Sequence, residues 1–461
     1  MPGTGVFRRA SAVGTGRFLQ VVSALALALS WSAQAAPGQI QFNQDFDSGS
    51  LNVAATTVDM NNPSAPLVTL VGRTNFGPGQ WAWVNFQAGG MGGRKPQFRI
   101  NQTNAFVVFS NNMRWAYSYD GQRWSFFDNG SVSGNYYTCS NNAAFTQDSV
   151  YVASYLPYPL SRVEALVSSL KAKPCVFPPA SGNADLVIGR TLGTAGGGYL
   201  DDYGRTVAAQ DIYGFKVTDS AAAGPKKKVV IMCGNHPGET QAAYVLEGLL
   251  NFVTGNDPRA VELRRRVEFY VYPNVDPEGR AAGYYRSSPR TPLLNHNRVW
   301  DDPVAAGCTE VAVVETAMKA DTASRVDYFF DFHGNGSASE FALPGNSAGV
   351  KPLPGNVGYI NPFTQALVRR EPSIIPMTAD YTPRYSQGWA VISTGLNATY
   401  AFSPETAQLS PTVYGGDIPG RLYGVGRNYG LALYDSLVPE PGVLSLLALV
   451  GLSLLRRPRR S

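Results

Sequence analysis

The stretch Val229-Val-Ile-Met-Cys-Gly-Asn-His-Pro-Gly-Glu239 decides how the chain is read. Val229 to Cys233 is a short unbroken apolar run after Lys226-Lys-Lys228, the pattern of a strand buried on both faces. The following residues place an imidazole, His236, and a carboxylate, Glu239, a turn apart at the mouth of a helical segment, Gln241 to Val253. Pro237-Gly238 bends the chain so that both side chains converge. Delivery of polar groups at a strand end is how a parallel α/β sheet presents its chemistry.

Outward from this stretch, strands and helices alternate. Leu160 to Lys171 and Thr309 to Lys319 have helical periodicity, and Val267 to Tyr272 and Val326 to Phe332 are further apolar strands. This predicts an α/β domain over 161–437 with a mixed, mostly parallel central sheet. Residues 36–160 read differently. Trp81 to Phe86, Pro96 to Ile100, Ala105 to Phe109 and Val150 to Tyr155 alternate apolar and polar residues between Gly, Asn, Pro and Ser turns. They predict an N-terminal antiparallel β-sandwich.

The chain has only three histidines, and two of them end apolar strands: His236, and His333 after Val326 to Phe332. Two imidazoles and one carboxylate, with a coordination position left for water, are the donor set of a catalytic zinc site. His236, Glu239 and His333 are therefore the candidate ligands of one zinc ion per chain. His296 is a pocket or surface residue on this reading.

Of 461 residues, 44% are hydrophobic and 15% charged, enough to build a large core and too apolar for a disordered chain. Much of the net charge of +5 comes from arginines at the two ends. The basic balance therefore does not indicate nucleic-acid binding. Cys139, Cys175, Cys233 and Cys308 form no CxxC pair, which argues against a cysteine zinc site. A Cys139–Cys175 disulfide and four small buried thiols stand as equal alternatives.

Both ends read as addresses. Residues 1–35 fit a secretory signal peptide: Arg8, Arg9 and Arg17, an apolar stretch from Phe18 to Trp31, and Ala33-Gln34-Ala35 for cleavage. Residues 438–461 combine Pro439-Glu440-Pro441, an apolar segment from Gly442 to Leu455, and a cluster of four arginines, Arg456, Arg457, Arg459 and Arg460. That order resembles the PEP-CTERM sorting signal. The resemblance implies export into the cell envelope of a Gram-negative bacterium, transient membrane association through the tail, and exosortase processing.

His236-Pro-Gly-Glu239, the distant Asp331-Phe-His-Gly334 and a later acidic residue resemble the carboxypeptidase A-like zinc carboxypeptidases. The nearest subgroup is the cytosolic-carboxypeptidase-like one, in which a β-sandwich precedes the catalytic domain. Phe46 to Leu51 and Tyr155-Leu-Pro-Tyr-Pro159 match its looser N-terminal motifs. The resemblance implies hydrolysis of C-terminal peptide bonds of peptides or proteins by a zinc-activated water. It implies Glu405 as general base and Arg286, in Gly283-Tyr-Tyr-Arg286, as the group polarising the scissile carbonyl. It also implies Asn297 and Arg298, in Asn295-His-Asn-Arg298, as holders of the substrate carboxylate, and Tyr381, with Tyr385 as rival, as a substrate contact. Arg280 and Arg290 are expected at the surface. Two departures stand out: Asn295 replaces the aspartate that supports a zinc histidine, and Ser403-Pro404 precedes Glu405 as an insertion that could displace it. A zinc amidase or deacylase, and an inactive extracellular binding protein, are the competing readings.

Overall fold

Alternation of buried and outward residues builds the N-terminal sheets. Phe98 and Ile100 point inward from the strand Gln97–Asn101, and Tyr137 and Cys139 from the strand Tyr136–Ser140, while their neighbours face out. The computed structural model describes residues 38–438 except 77–78, 195–199, 292–293 and 337–340. The first ten strands are β1 (Gln41–Asn43), β2 (Thr57–Asp59), β3 (Leu67–Leu70), β4 (Asn85–Gly89), β5 (Gln97–Asn101), β6 (Ala116–Ser118), β7 (Ser125–Phe126), β8 (Asn129–Ser133), β9 (Tyr136–Ser140) and β10 (Val150–Ala153). They form two five-stranded sheets, in the orders β1-β4-β10-β6-β7 and β2-β3-β5-β9-β8. All the pairings are antiparallel except β3 with β5, which is parallel. Both sheets feed one apolar cluster that includes Trp83, Phe86, Phe98, Trp115 and Tyr137.

Ala105 to Phe109 alternates like a strand, yet it is an irregular loop. Gln102 pins it, its side chain accepting from Phe109 N at 2.6 Å, and Phe106 N donates to Trp81 O at 2.8 Å. Val107 and Phe109 enter the core, while Phe106 and Val108 are 42% and 63% exposed. The alternation here marks an edge loop with one face buried.

After the helix Leu160–Lys171 come β11 (Val176–Phe177), β12 (Val187–Arg190), β13 (Asp211–Tyr213), β14 (Phe215–Val217), β15 (Lys227–Cys233), β16 (Val267–Tyr272), β17 (Tyr328–Gly334), β18 (Phe341–Gly345), β19 (Ile374–Thr378), β20 (Tyr400–Phe402) and β21 (Glu405–Thr406). Nine of these, among the described residues, make one mixed sheet in the order β11-β14-β16-β15-β17-β20-β18-β19, with β21 against β17 and β18. Its centre, β16-β15-β17-β20, is parallel, and antiparallel pairings flank it on both sides. The helices Thr240–Val253 and Ile418–Leu437 pack together, joined through Gly248 and Gly426, where a side chain would run into the facing backbone. An all-buried β17 and a helix Thr240–Val253 with twelve buried residues explain the unbroken apolar text of this half.

The four cysteines are free and buried, so the Cys139–Cys175 disulfide is not formed. Cys139 belongs to the N-terminal cluster and Cys175 to the core of the large sheet. No helix among the described residues is long and apolar enough to cross a membrane. The proposed signal peptide and nearly all of the sorting tail lie outside the described residues.

Candidate metal and catalytic site

The strand β15 runs out at Gly234, whose φ of +70° turns the chain sharply; a side chain there would strike Asn274 Oδ1. His236 follows, and Glu239 caps the helix Thr240–Val253, where the positive end of the dipole favours a carboxylate. Gly238 lies against Tyr285, with its N–H on Tyr285 O at 3.0 Å, leaving no room for a Cβ. From the neighbouring strand β17 comes His333. The donor atoms of His236, Glu239 and His333 all lie within 4.8 Å of one another, and the three residues are buried.

Each imidazole points one nitrogen inward and one outward. His236 Nδ1 is 2.9 Å from Glu239 Oε1, and His333 Nδ1 is 3.0 Å from Glu239 Oε2. On the far side, His236 Nε2 meets Asn295 Oδ1 at 2.9 Å, and His333 Nε2 meets Asp331 Oδ2 at 2.7 Å. Asn295 Oδ1 also accepts from Asn297 N at 2.9 Å, which fixes it as an acceptor. Both Nε2 atoms must then carry hydrogen, so in the neutral rings both Nδ1 lone pairs face the two oxygens of one carboxylate. Such a cluster of electron pairs calls for a cation in its middle, and the N, N, O donor set suits zinc. Burial pushes His236 down to about 4, against the pull of Glu239, so its ring is neutral near pH 7. Burial would lower His333 too, but Asp331 and Glu239 hold it well above its usual range.

Asp331 enters the sequence reading only as part of Asp331-Phe-His-Gly334, without a role of its own. It sits two residues before His333 on one strand and therefore on the same face. Asn235 Nδ2 and Ser386 Oγ, at 3.1 and 2.5 Å, hold its Oδ2 in place.

Glu405 lies beside His333: the two are register partners, and His333 N donates to Pro404 O at 2.8 Å. The Ser403-Pro404 insertion does not displace it. Strand β20 pairs Phe402 with Phe330, and β21 resumes the same register at His333 and Glu405. Burial, opposed by His333 and reinforced by Glu239, raises Glu405 to about 7.

Arg286 Nη2 donates to Glu239 Oε1 at 3.1 Å. Its guanidinium lies 4.9 Å from the Phe76 ring and 4.5 Å from the Phe106 ring, which stack on each other at 3.8 Å. These two N-terminal aromatics, unread in the sequence, form a wall of the site. Arg298 is half-buried, stacks over Tyr385 at 3.9 Å, and forms no salt bridge among the described residues. Tyr381 stacks on Tyr385 at 4.7 Å, so both tyrosines are at the site. Asn297 spends its amide elsewhere: Nδ2 is 3.3 Å from His333 Nε2, and Oδ1 accepts from Ser386 N at 2.9 Å. In this structure it packs between His333 and Ser386, and Arg298, whose Nη1 donates to Asn297 O at 2.6 Å, keeps the rest of its guanidinium for a carboxylate.

Arg280, expected at the surface, is 1% exposed. Its Nε and Nη1 donate to Asn274 Oδ1 and Tyr158 O at 2.7 and 2.9 Å, tying the turn after β16 to the chain before the first helix. Arg290 is exposed as expected. His296 is neither pocket nor surface but fully buried.

Residues 199–336 match the zinc carboxypeptidase (peptidase M14) family profile. The Uncharacterized protein ZMO1242 of Zymomonas mobilis is 30% identical over 161 residues, 34% of this chain and 39% of that protein. Cytosolic carboxypeptidase 6 of Mus musculus is 24% identical over 208 residues, 43% of this chain and 34% of that protein. The chain thus spans well under half the length of these curated relatives. Among solved structures, a metallo-carboxypeptidase from Burkholderia cenocepacia superposes with a TM-score of 0.66 at 21% identity, over 86% of this chain and 98% of that one. A metallo-carboxypeptidase from Pseudomonas aeruginosa gives 0.65 at 19%, with the same coverage. Residues 199–336 are therefore similar to zinc carboxypeptidases, and the chain shares its fold with solved metallo-carboxypeptidases.

Proposed function

We propose that this chain is an exported metallocarboxypeptidase that removes residues from the C-termini of peptides or proteins. The observation that carries the reading is the convergence of His236, Glu239 and His333 from two adjacent strand ends, with Glu405 held in register beside His333. A zinc ion held by those three residues supplies Lewis acidity to a scissile carbonyl and lowers the pKa of water. Glu405 takes the proton from the attacking water and passes it to the leaving amine nitrogen. Arg286, braced by Phe76 and Phe106, stabilises the charge that develops on the carbonyl oxygen. Arg298 grips the terminal carboxylate with two parallel N–H bonds, which confines cleavage to chain ends. Tyr381 and Tyr385 close the same side of the cleft. Export rests on the address-like segments 1–35 and 438–461 of the sequence.

The test is digestion of a C-terminal peptide library and of N-acyl amino acids by the purified zinc-loaded protein, read by mass spectrometry. Release of single C-terminal residues that stops in Glu405→Gln supports the proposal. Turnover of N-acyl amino acids alone would transfer it to the amidases, and a fully zinc-loaded protein inert toward every substrate would leave a binding protein.

A further inference from the structure

A second group of side chains of metal-ligating type lies among the described residues. Asp276 caps the helix Pro277–Ala281, Cys308 caps the helix Thr309–Thr322, Glu310 stands in that helix's first turn, and His296 opens the short turn His296–Arg298. All four are buried, at no more than 2% exposure. Donor atoms of His296, Cys308 and Glu310 lie within 4.8 Å of one another, and Cys308 Sγ is 3.9 Å from Glu310 Oε2. His296 Nδ1 and Asp276 Oδ2 are 3.3 Å apart, and neither makes a hydrogen bond. Donor atoms around a tetrahedral zinc with bonds of about 2.0–2.3 Å are about 3–4 Å apart, so modest contraction would bring His296, Cys308 and Glu310 to bonding distance, with Asp276 beside His296 outside that group of three.

Charge reinforces the geometry. Among the described residues no lysine or arginine forms a salt bridge with Asp276 or Glu310. Glu278, a third buried carboxylate, lies close enough to disfavour charge on both. Burial pushes Glu310 up to about 7 and Asp276 well above its usual range. A cation bound among these side chains would take the place of the protons on the thiol and the carboxyls, which leave to solvent. We propose that Asp276, His296, Cys308 and Glu310 bind a second divalent metal ion, of the zinc class, with a structural role. A thiolate, an imidazole and carboxylates, all from protein and closed to solvent, make up such a site. The ion would fasten the His296–Arg298 turn between two helix N-termini. That turn and its cap carry Asn295, Asn297 and Arg298, so the second ion would hold the parts that orient the catalytic one.

The proposal is separable from the peptidase reading because the two sites use different ligands. The full chain is loaded with zinc(II) or cobalt(II), its metal content is measured by elemental mass spectrometry, and the cobalt form is scanned for a near-ultraviolet thiolate charge-transfer band. The expected result is two equivalents per chain with the band present. Cys308→Ser should bind one equivalent and lose the band. A His236→Ala/His333→Ala variant should bind one equivalent and keep it, and a chelator should still lower its melting temperature, since an ion bound only by the folded state stabilises it. Should Cys308→Ser fail to fold, the wild-type cobalt spectrum and the double variant still decide. Wild-type protein without a thiolate band, or with a single equivalent that disappears in the double variant, would overturn the second site whatever becomes of the first.

Discussion

Glu405 is poised by opposing influences. Burial and the neighbouring Glu239 favour its neutral form, and His333 favours its charged form. As general base it must be ionised, so kcat/KM should rise with pH and level off once the carboxylate is formed. With the group raised to about 7 in the metal-free cluster, a cation bound beside it would pull the titration down, placing the acid limb at or below pH 7. A pH–rate profile of the zinc form measures it; loss of activity on raising the pH through 6 to 7 would contradict the assignment. Glu405→Gln should cost about 10²–10⁴ in kcat while zinc content is unchanged. Arg298→Ala should act on binding instead, raising KM for peptides far more than for substrates with an amidated C-terminus. Measuring kcat and KM for both substrate types distinguishes a carboxylate clamp from a residue that merely fills the cleft.

At the scale of elements, the short turn after Asn295 does unusual duty. Asn295 orients His236, and Asn297 packs against the His333 ring, so both histidines lie against a segment of three residues and its cap. Replacing Asn295 by Ala should weaken zinc binding by about 10–100-fold, and Asn295→Asp should tighten it, because a carboxylate makes the imidazole a stronger donor. Competition titration with a chromogenic chelator reads both. Much of this was legible in the text: the strand–HxxE–helix order, the second strand ending in His333, and Glu405 after an apolar run all fold as the periodicity implies. Three matters were not. The side chain of Asn297 could turn to substrate or to His333, and only packing against Ser386 chooses. Ser403-Pro404 reads as an insertion, yet the parallel ladder keeps its register across it, because β21 pairs with β17 as β20 does. Cys308 and Glu310 sit near Asp276 and His296 only once three separate turns meet, and no local spacing announces that.

Across the whole molecule, the N-terminal sheets hold the catalytic half by polar contacts at the segment leading to Arg286. Arg73, fully buried, donates to Ala282 O at 2.6 Å and pairs with Asp201 and Asp202 at 3.1 and 2.8 Å. Trp83 Nε1 donates to Gly283 O at 3.1 Å, Ser48 Oγ to Arg280 O at 3.0 Å, and Tyr285 N to Asn75 O at 3.0 Å. Tyr285 itself joins the N-terminal apolar cluster. Arg73→Met would leave buried Asp201 with Arg205 as its remaining ion-pair partner and should destabilise the protein by about 1–3 kcal/mol, measured by denaturant unfolding. It should also lower kcat, since residues 282–285 position Arg286.

The stacked pair Phe76 and Phe106, with Val108 beyond it, has a consequence for how such an enzyme diversifies. His236, Glu239, His333 and Glu405 are drawn from one sheet, whereas the aromatic lip is supplied by loops of another. Because that lip also braces Arg286, whose Nη2 donates to Glu239 Oε1, a substitution at Phe76 or Phe106 that redraws which side chains gain entry is felt at the reacting end as well, so preference and chemistry are tied to evolve together.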